Sequence, residues 1–548
     1  MALLQSAHEA LGRGAWEDAR RDFTSALATS ESPEALEGLG IAAWWLDDAV
    51  TVFDSRERAY RLYNDRGDKR GAGRVALSLA EDAIYFRGQA AIARGWLGRA
   101  REHLAKHEPI PEHGWLHIVA GDLAMMVDGD PAEARRCANE AATVARSLAQ
   151  ADLAMVARAL EALSLVSLGN VAQGMTDLDE VATAALHGEV TDPLAVGICC
   201  CYLMIACERV RDLDRAAQWC DEIRRFCERW RCNGVLALCR TEFAAVLTAR
   251  GRWADAELEL MHAIPQLTAT RPALRREGVV RLAALRRRQG RLDEAASLLQ
   301  EVEGHPLASL EKAALALDRG DWASAARGLE RVFAQPSEAF DPDRVAGFEV
   351  LVRAQAALGE EEAAAKSLAR LESLVQGHAQ GSMRALLEAA RGVLHAAQGD
   401  AHSAVAALEG SVEYFAQSGA LFDAARVRID LANALRESGD LAGAAREGKA
   451  AAEVLQRLGA DLEARRASAL LQELERPPAP PASAPDGLTP REVDVLRLLA
   501  EGRTNQEIGR AFHLSEFTIK RHVANILTKL DLPSRAAAAA YATRKGLI

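Results

Sequence analysis

The apolar pattern of the first 476 residues is periodic. A small turn residue is followed five positions later by alanine, often with an aromatic residue or leucine between them. Gly14-Ala15-Trp16-Glu17-Asp18-Ala19, Gly251 to Ala256, Gly290 to Ala295 and Gly320 to Ala325 show the pattern plainly. Gly359, Gly399 and Gly439 keep the phase, followed by Ala364, Ala404 and Ala444, and weaker copies start at Asp54, Gly95, Gly129, Gly169 and Arg211. The starts lie mostly 39 to 42 residues apart, with short steps of 34 from Gly95 to Gly129 and 30 from Gly290 to Gly320. Such a period marks an array of supersecondary units, none of which can bury its apolar side alone, so that stacked neighbours build one continuous core. Twelve copies predict about 24 helices, two antiparallel helices per copy, with the turn residue between them and the alanine where the pair packs closest. Trp16, Trp96, Trp253 and Trp322 follow the turn residue and are expected in the core.

The pattern changes in the last 62 residues. Leu488-Thr489-Pro490-Arg491-Glu492-Val493 is a dense helix-start signal: Thr489 as cap, Pro490 at the first helical position, Glu492 closing a capping box, and Leu488 with Val493 as a hydrophobic staple. Val493, Leu496, Leu499 and Ala500 then share one face until Gly502 ends the helix. Thr504-Asn505-Gln506-Glu507 is a second capping box, with Ile508, Ala511 and Phe512 as the inward face, and Ser515 is a third cap. The third helix spans about Glu516 to Leu530, with Ile519, Val523, Ile526 and Leu530 on its buried side. Its other side carries Phe517, Lys520, Arg521, Ala524, Asn525 and Thr528, a mixture of cations, hydrogen-bonding groups and small contacts suited to phosphates and base edges. Two short helices joined by so tight a turn are the unit that sets a following helix into a DNA groove.

These residues, in this order, resemble the LuxR-type DNA-binding domain: Leu488 to Glu492, Leu496 to Gly502, Thr504 to Ile508, Ser515 to His522 and Lys529-Leu530. The resemblance implies that the third helix enters the major groove of double-stranded DNA. It also implies that a fourth helix, here Ser534 to about Lys545, supports a homodimer on DNA. Lys520 and Arg521 are then the candidates for base readout. Thr504, Asn505, Ser515, Thr518, His522 and Lys529 are candidates for holding phosphates or framing the reading helix, and Asn525 for either. Ala524 stands where some relatives carry lysine, which implies weak or apolar readout at that step. Phe517 reaches a thymine methyl group or packs on a neighbouring subunit.

The periodic body resembles tetratricopeptide-like repeats, with a step of about 40 residues in place of that family's usual ~34. The reading is therefore all-α: a helical-hairpin repeat solenoid over residues 1–476, a linker over 477–487, and a four-helix LuxR-type helix-turn-helix domain over 488–548. The segment Gly38 to Tyr63, with Trp44-Trp45-Leu46-Asp47-Asp48, is unusually aromatic and reads as a capping repeat, or else as a docking surface.

Charge changes the picture by separating the two ends. Residues 487 to 548 carry ten Lys+Arg against six Asp+Glu, a surplus of four in a chain of net charge -12, so the rest carries -16. An acidic body does not bind DNA non-specifically, which leaves phosphate contacts to a small basic tip and calls for a dimer on two half-sites. Five prolines among the eleven residues Pro477 to Gly487 predict an extended, semi-rigid spacer.

Eight of nine cysteines fall between Cys199 and Cys239. They lack Cys-x-x-Cys spacing and a nearby histidine pair, so they read as small packing residues of a reducing cytoplasm; a thiol or metal sensor in this region is the alternative. No cofactor or metal site is expected. The apolar run Ala195 to Cys207 is 13 residues, too short to cross a bilayer, and suits a buried helix. There is no phosphate-loop motif, since Gly67 to Gly73 lacks the required lysine, and no Gly-x-Ser-x-Gly or His-Glu-x-x-His, which argues against an enzyme. The pattern leads to a cytoplasmic, DNA-binding regulator whose repeat domain answers to an unknown protein or small-molecule effector. A pure interaction scaffold, with terminal helices that only dimerise, is the rival from another class.

Overall fold

The computed structural model describes every residue except 1, 211, 231–232, 304, 335–341, 377–380, 476–487, 489, 513–515, 546 and 548. The chain divides into two compact units, Met1–Leu470 and Leu471–Ile548. Helices are numbered in chain order, from α1 (Ala2–Gly12) to α25 (Asp461–Glu475) and on to α29 (Arg535–Arg544). Among the described residues there is no strand. The proposed linker Pro477 to Gly487 and the cap Thr489 lie outside the described residues, as does the turn residue Arg211.

In the first unit α1 to α24 (Leu441–Leu458) pair as twelve antiparallel hairpins, each odd-numbered helix followed by its even-numbered partner, and α25 stands alone after the twelfth. The helices end where the sequence places a residue that tolerates left-handed backbone. Gly14, Gly129, Gly169, Gly251, Gly290, Gly320, Gly359, Gly399 and Gly439 all have positive φ. Five positions beyond, Ala19, Ala134, Ala256, Ala295, Ala325, Ala364, Ala404 and Ala444 have no exposed surface. In the copy that turns at Gly169 the corresponding residue is Gly174, where an added Cβ would lie 2.6 Å from the Ala162 carbonyl oxygen.

Copies two and three depart from the sequence phase. Asp54 lies inside α4 (Ala49–Asp65) and Gly95 inside α6 (Ala90–Leu104). The turns fall instead at Asp47 (φ 58) and Gly88 (φ 65), with buried Val52 and Ala93 five positions on. Ala59 and Ala100 lie seven positions after Val52 and Ala93 on the same buried face, so a small residue followed five positions later by alanine also occurs within a helix, and composition alone does not identify the turn. Trp96 is consequently mid-helix and half-buried, its ring edge-on to Tyr60 at 5.0 Å.

The array coils so that copies one, two, three, seven and eight meet elements about five copies further on. Trp16 of copy one donates its Nε1–H to the Trp230 carbonyl of copy six at 3.0 Å. Asp47 of copy two receives Arg271, which joins copies seven and eight, at 2.8 Å. Gly251 of copy seven abuts Leu458 of copy twelve, and Gly290 of copy eight abuts Leu462 of α25. This closure decides the tryptophans. Trp16 and Trp253 are buried, Trp253 against Phe422 of copy twelve at 5.6 Å. Trp322 of copy nine is 42% exposed, contrary to the core assignment. Trp44 and Trp45 are neither cap nor external docking surface. Trp45 stacks on Trp16 at 4.9 Å, and the Arg271 guanidinium lies 4.2 Å above the Trp44 ring.

The cysteine-rich segment is core. Cys199, Cys200 and Cys207 are buried on α11 (Pro193–Val210) and Cys220 and Cys227 on α12 (Leu213–Trp230), while Cys232 and the side chain of Cys239 lie outside the described residues. Burial pushes the thiols of Cys199 and Cys220 up to about 12, which suppresses the reactive thiolate. Among the described residues α11 alone has the length and apolarity to cross a membrane, and over half of it is buried inside the unit, as a core helix would be.

Candidate nucleic-acid interface

The second unit contains α26 (Pro490–Ala500), α27 (Asn505–Phe512), α28 (Glu516–Lys529) and α29. Its core joins Leu488, Val493, Val495, Leu496 and Leu499 with Ile508, Ile519 and Ile526, and is closed by Ala538, Tyr541 and Ala542. The inward faces expected from the sequence are these, with Val523 and Leu530 half-buried at the edge. Ala511 is the exception. It is exposed, because the eight-residue α27 turns only one narrow side, Ile508 and Gly509, inward.

The turn between α26 and α27 is fixed by local chemistry. Gly502 takes φ 84 and ends α26. The Thr504 backbone N–H donates to Glu507 Oε2 at 2.7 Å, and the Glu507 N–H donates to Thr504 Oγ1 at 3.3 Å, closing the capping box. The backbone donor at Thr504 holds the Glu507 carboxyl below its usual range. Asn505 Oδ1 accepts from Arg535 Nη1 at 2.6 Å, and Arg535 also donates to the Arg503 carbonyl, so α29 is tied to the turn. Lys529 Nζ donates to the buried Glu492 carboxylate at 2.7 Å and ties α28 to α26. The Arg491 guanidinium caps the Phe512 ring at 3.8 Å.

What these ties leave free is one side of α28. Lys520, Arg521, Ala524, Asn525 and Thr528 are exposed and His522 is half-buried, opposite the fully buried Ile519 and Ile526. Lys520 Nζ pairs with Glu516 one turn back at 2.9 Å, an exposed pair that water and salt weaken. Arg521 makes no ion pair among the described residues. Of the other candidates, Ser515 and the side chains of Thr518 and Phe517 lie outside the described residues. Thr504 and Asn505 brace the start of α27, and Lys529, apart from them, ties α28 to α26. Arg535 and Glu492 complete these braces without having been singled out as framing residues, because pairs 30 and 37 residues apart leave no periodic signal.

Residues 486–542 match the family described as bacterial regulatory proteins, luxR family. The chain is 48% identical over 63 residues to the transcriptional regulatory protein LiaR of Bacillus subtilis, covering 12% of this chain and 30% of that protein. It is 48% identical over 61 residues to the response regulator protein VraR of Staphylococcus aureus, covering 11% of this chain and 29% of that one. The chain thus spans less than a third of the length of these relatives. Among solved structures the chain is similar to the APC/C hetero-tetramer Cut9-Hcn1, at 14% identity and TM-score 0.44 over 87% of this chain and 96% of that one. It is also similar to a Rap protein complexed with competence and sporulation factor, at 12% identity and TM-score 0.40 over 70% and 98%. The carboxy-terminal unit carries a LuxR-type helix-turn-helix domain, behind an all-helical array of hairpin repeats.

Proposed function

We propose that this chain is a cytoplasmic, sequence-specific transcription regulator, in which residues 488–548 read double-stranded DNA and the repeat array of residues 1–476 governs that reading. The carrying observation is the exposed polar side of α28, presented by a LuxR-type domain in which Glu507, Arg535 and Glu492 hold Thr504, Asn505 and Lys529. Lys520 and Arg521 reach base edges, where a good bidentate contact is worth about 1–3 kcal/mol of discrimination. Asn525 and His522, with Thr518 and Ser515, contact phosphates or flank the readers. Thr504, Asn505 and Lys529 act mainly by holding the frame.

Few phosphate contacts per subunit make a lone reader weak, so a homodimer on half-sites about 34 Å apart supplies the affinity. Helix α29 suits that contact. Ala536, Ala540 and Thr543 form an exposed row of small residues at helical spacing, which allows close approach of a second helix. Control follows from differential binding: a protein or small-molecule effector that prefers the DNA-competent arrangement shifts the population toward it. The prolines of residues 477–487 serve as the spacer that lets the reader act as a separate body.

Selection from a random DNA pool, run in parallel on the full chain and on residues 487–548 at matched salt, tests the reading. An enriched motif that Lys520→Ala and Arg521→Ala each weaken by about tenfold or more supports it. A motif found only with the fragment assigns an inhibitory role to the repeats. No enrichment by the full chain, the fragment or a fragment fused to a dimeriser overturns the proposal.

A further inference from the structure

Glu208 on α11, Glu242 on α13 (Asn233–Ala249) and Glu277 on α15 (Pro272–Arg288) belong to the first helices of copies six, seven and eight. One carboxylate oxygen from each lies within 4.8 Å of the other two. That spread matches a single ion with oxygen ligands, since at bond lengths of about 2.3–2.6 Å two ligands of one calcium ion are at most ~5 Å apart. Arg281 is ion-paired to Glu208 and, at 3.1 Å, to Glu277. When all three carboxylates are ionised, as a bound ion would hold them, one guanidinium leaves two negative charges, the charge one divalent cation neutralises.

A second observation points to a ligand. Glu242 is only 9% exposed, and its Oε2 is shielded from solvent without a hydrogen-bond donor. Arg281 pairs with the other two carboxylates, and Glu242 is hydrogen-bonded to Glu208 within the cluster while its Oε2 keeps no partner. Burial, then the charges of Glu277 and Glu208, push its carboxyl well above the usual range, against the opposing pull of Arg281. Burial raises Glu277 as well. Arg281 also feels Asp343, which gives its guanidinium another carboxylate to face when an ion takes up Glu208 and Glu277.

We propose that Glu208, Glu242 and Glu277 form a binding site for one hard divalent cation of the calcium or manganese kind. The all-carboxylate donor set, without histidine or thiolate, selects against zinc and copper. Because the three ligands come from three successive copies, the ion cross-links the inner helices of copies six to eight and stiffens the middle of the coil. The inference goes beyond the regulator reading and its test uses no DNA, so either can fail without the other.

The test is titration of the full-length chain with calcium, manganese or magnesium chloride alone, followed by calorimetry and by manganese electron paramagnetic resonance. One ion per chain is expected, with affinity lower by about tenfold or more in Glu242→Gln and in Glu208→Gln, since each removes one charged ligand. The cation is expected to raise the melting temperature of the parent chain and leave that of Glu242→Gln unchanged. Circular dichroism establishes that the variants are folded; should Glu242→Gln fail there, Glu208→Gln, whose carboxylate is partly exposed, carries the comparison. Absence of bound ion at millimolar concentrations of all three salts overturns the proposal, as does binding that both substitutions leave unchanged.

Discussion

At Glu81 burial and neighbouring charge act in the same direction. The surrounding protein, then Asp122 and Asp82, raise its carboxyl to about 8, with Arg56 opposing. Asp122 is itself raised to about 6 by burial, although the hydroxyls of Tyr202 and Tyr85 hold it down in part. Between its ordinary value of 4.5 and about 8 the folded chain keeps a proton on Glu81 that the unfolded chain has lost. The native state then binds more protons, so stability falls as pH rises through this window, and the loss is complete above it. Glu81→Gln is therefore expected to raise the melting temperature near pH 9 and change it little near pH 4.5; an equal effect at both would remove burial of the charge as the cause. At Lys529 the prediction separates bracing from DNA contact. Lys529→Met strands the buried Glu492 carboxylate, and hydrogen exchange should quicken in α26 and α28 without any DNA present. The cost is on the order of 1–2 kcal/mol, below that of a wholly buried pair because the Lys529 side chain is 38% exposed. Unaltered exchange with weakened DNA binding would make Lys529 a phosphate contact instead.

At the scale of the element, each hairpin depends on one close approach five residues past its turn. Alanine meets that need in most copies and glycine at Gly174, where the facing backbone of α9 (Ala151–Ser167) leaves no room for a methyl group. Gly174→Ala is expected to destabilise the array by about 1–3 kcal/mol despite its better helix propensity, read as a lower midpoint in urea unfolding. A rise in the midpoint would mean that α9 and α10 (Val171–Leu186) separate without penalty. This spacing made most turns legible in the sequence, and the capping box at Thr504 and Glu507 made the second helix of the reader legible in the same way. Asp47 was not legible as a turn. A non-glycine residue at φ 58 carries no compositional mark, and its left-handed backbone is held by a contact 224 residues away.

At the scale of the whole repeat unit, closure after five copies is decided by few residues. The Arg271 side chain, 5% exposed, pairs with Asp47 at 2.8 Å and lies over the rings of Trp44 and Phe86. Removing one partner of a buried pair costs about 3–5 kcal/mol. Arg271→Met is thus expected to lower the melting temperature and enlarge the radius of gyration in X-ray scattering, and Asp47→Asn in the same chain to recover part of the loss. Unchanged scattering would show that stacking between adjacent copies sets the coil unaided. The sequence by itself determined the helical repeat, its count of hairpins, the buried and exposed sides of α28 and the capping of α27. All of these rest on contacts between residues a few positions apart, whose spacing is written in the chain. Only the tertiary structure decided which tryptophans are covered, where Arg271 goes, and that Glu208, Glu242 and Glu277 converge. Those outcomes depend on the small rotation between neighbouring copies, which accumulates over five of them and brings together residues that no local pattern relates.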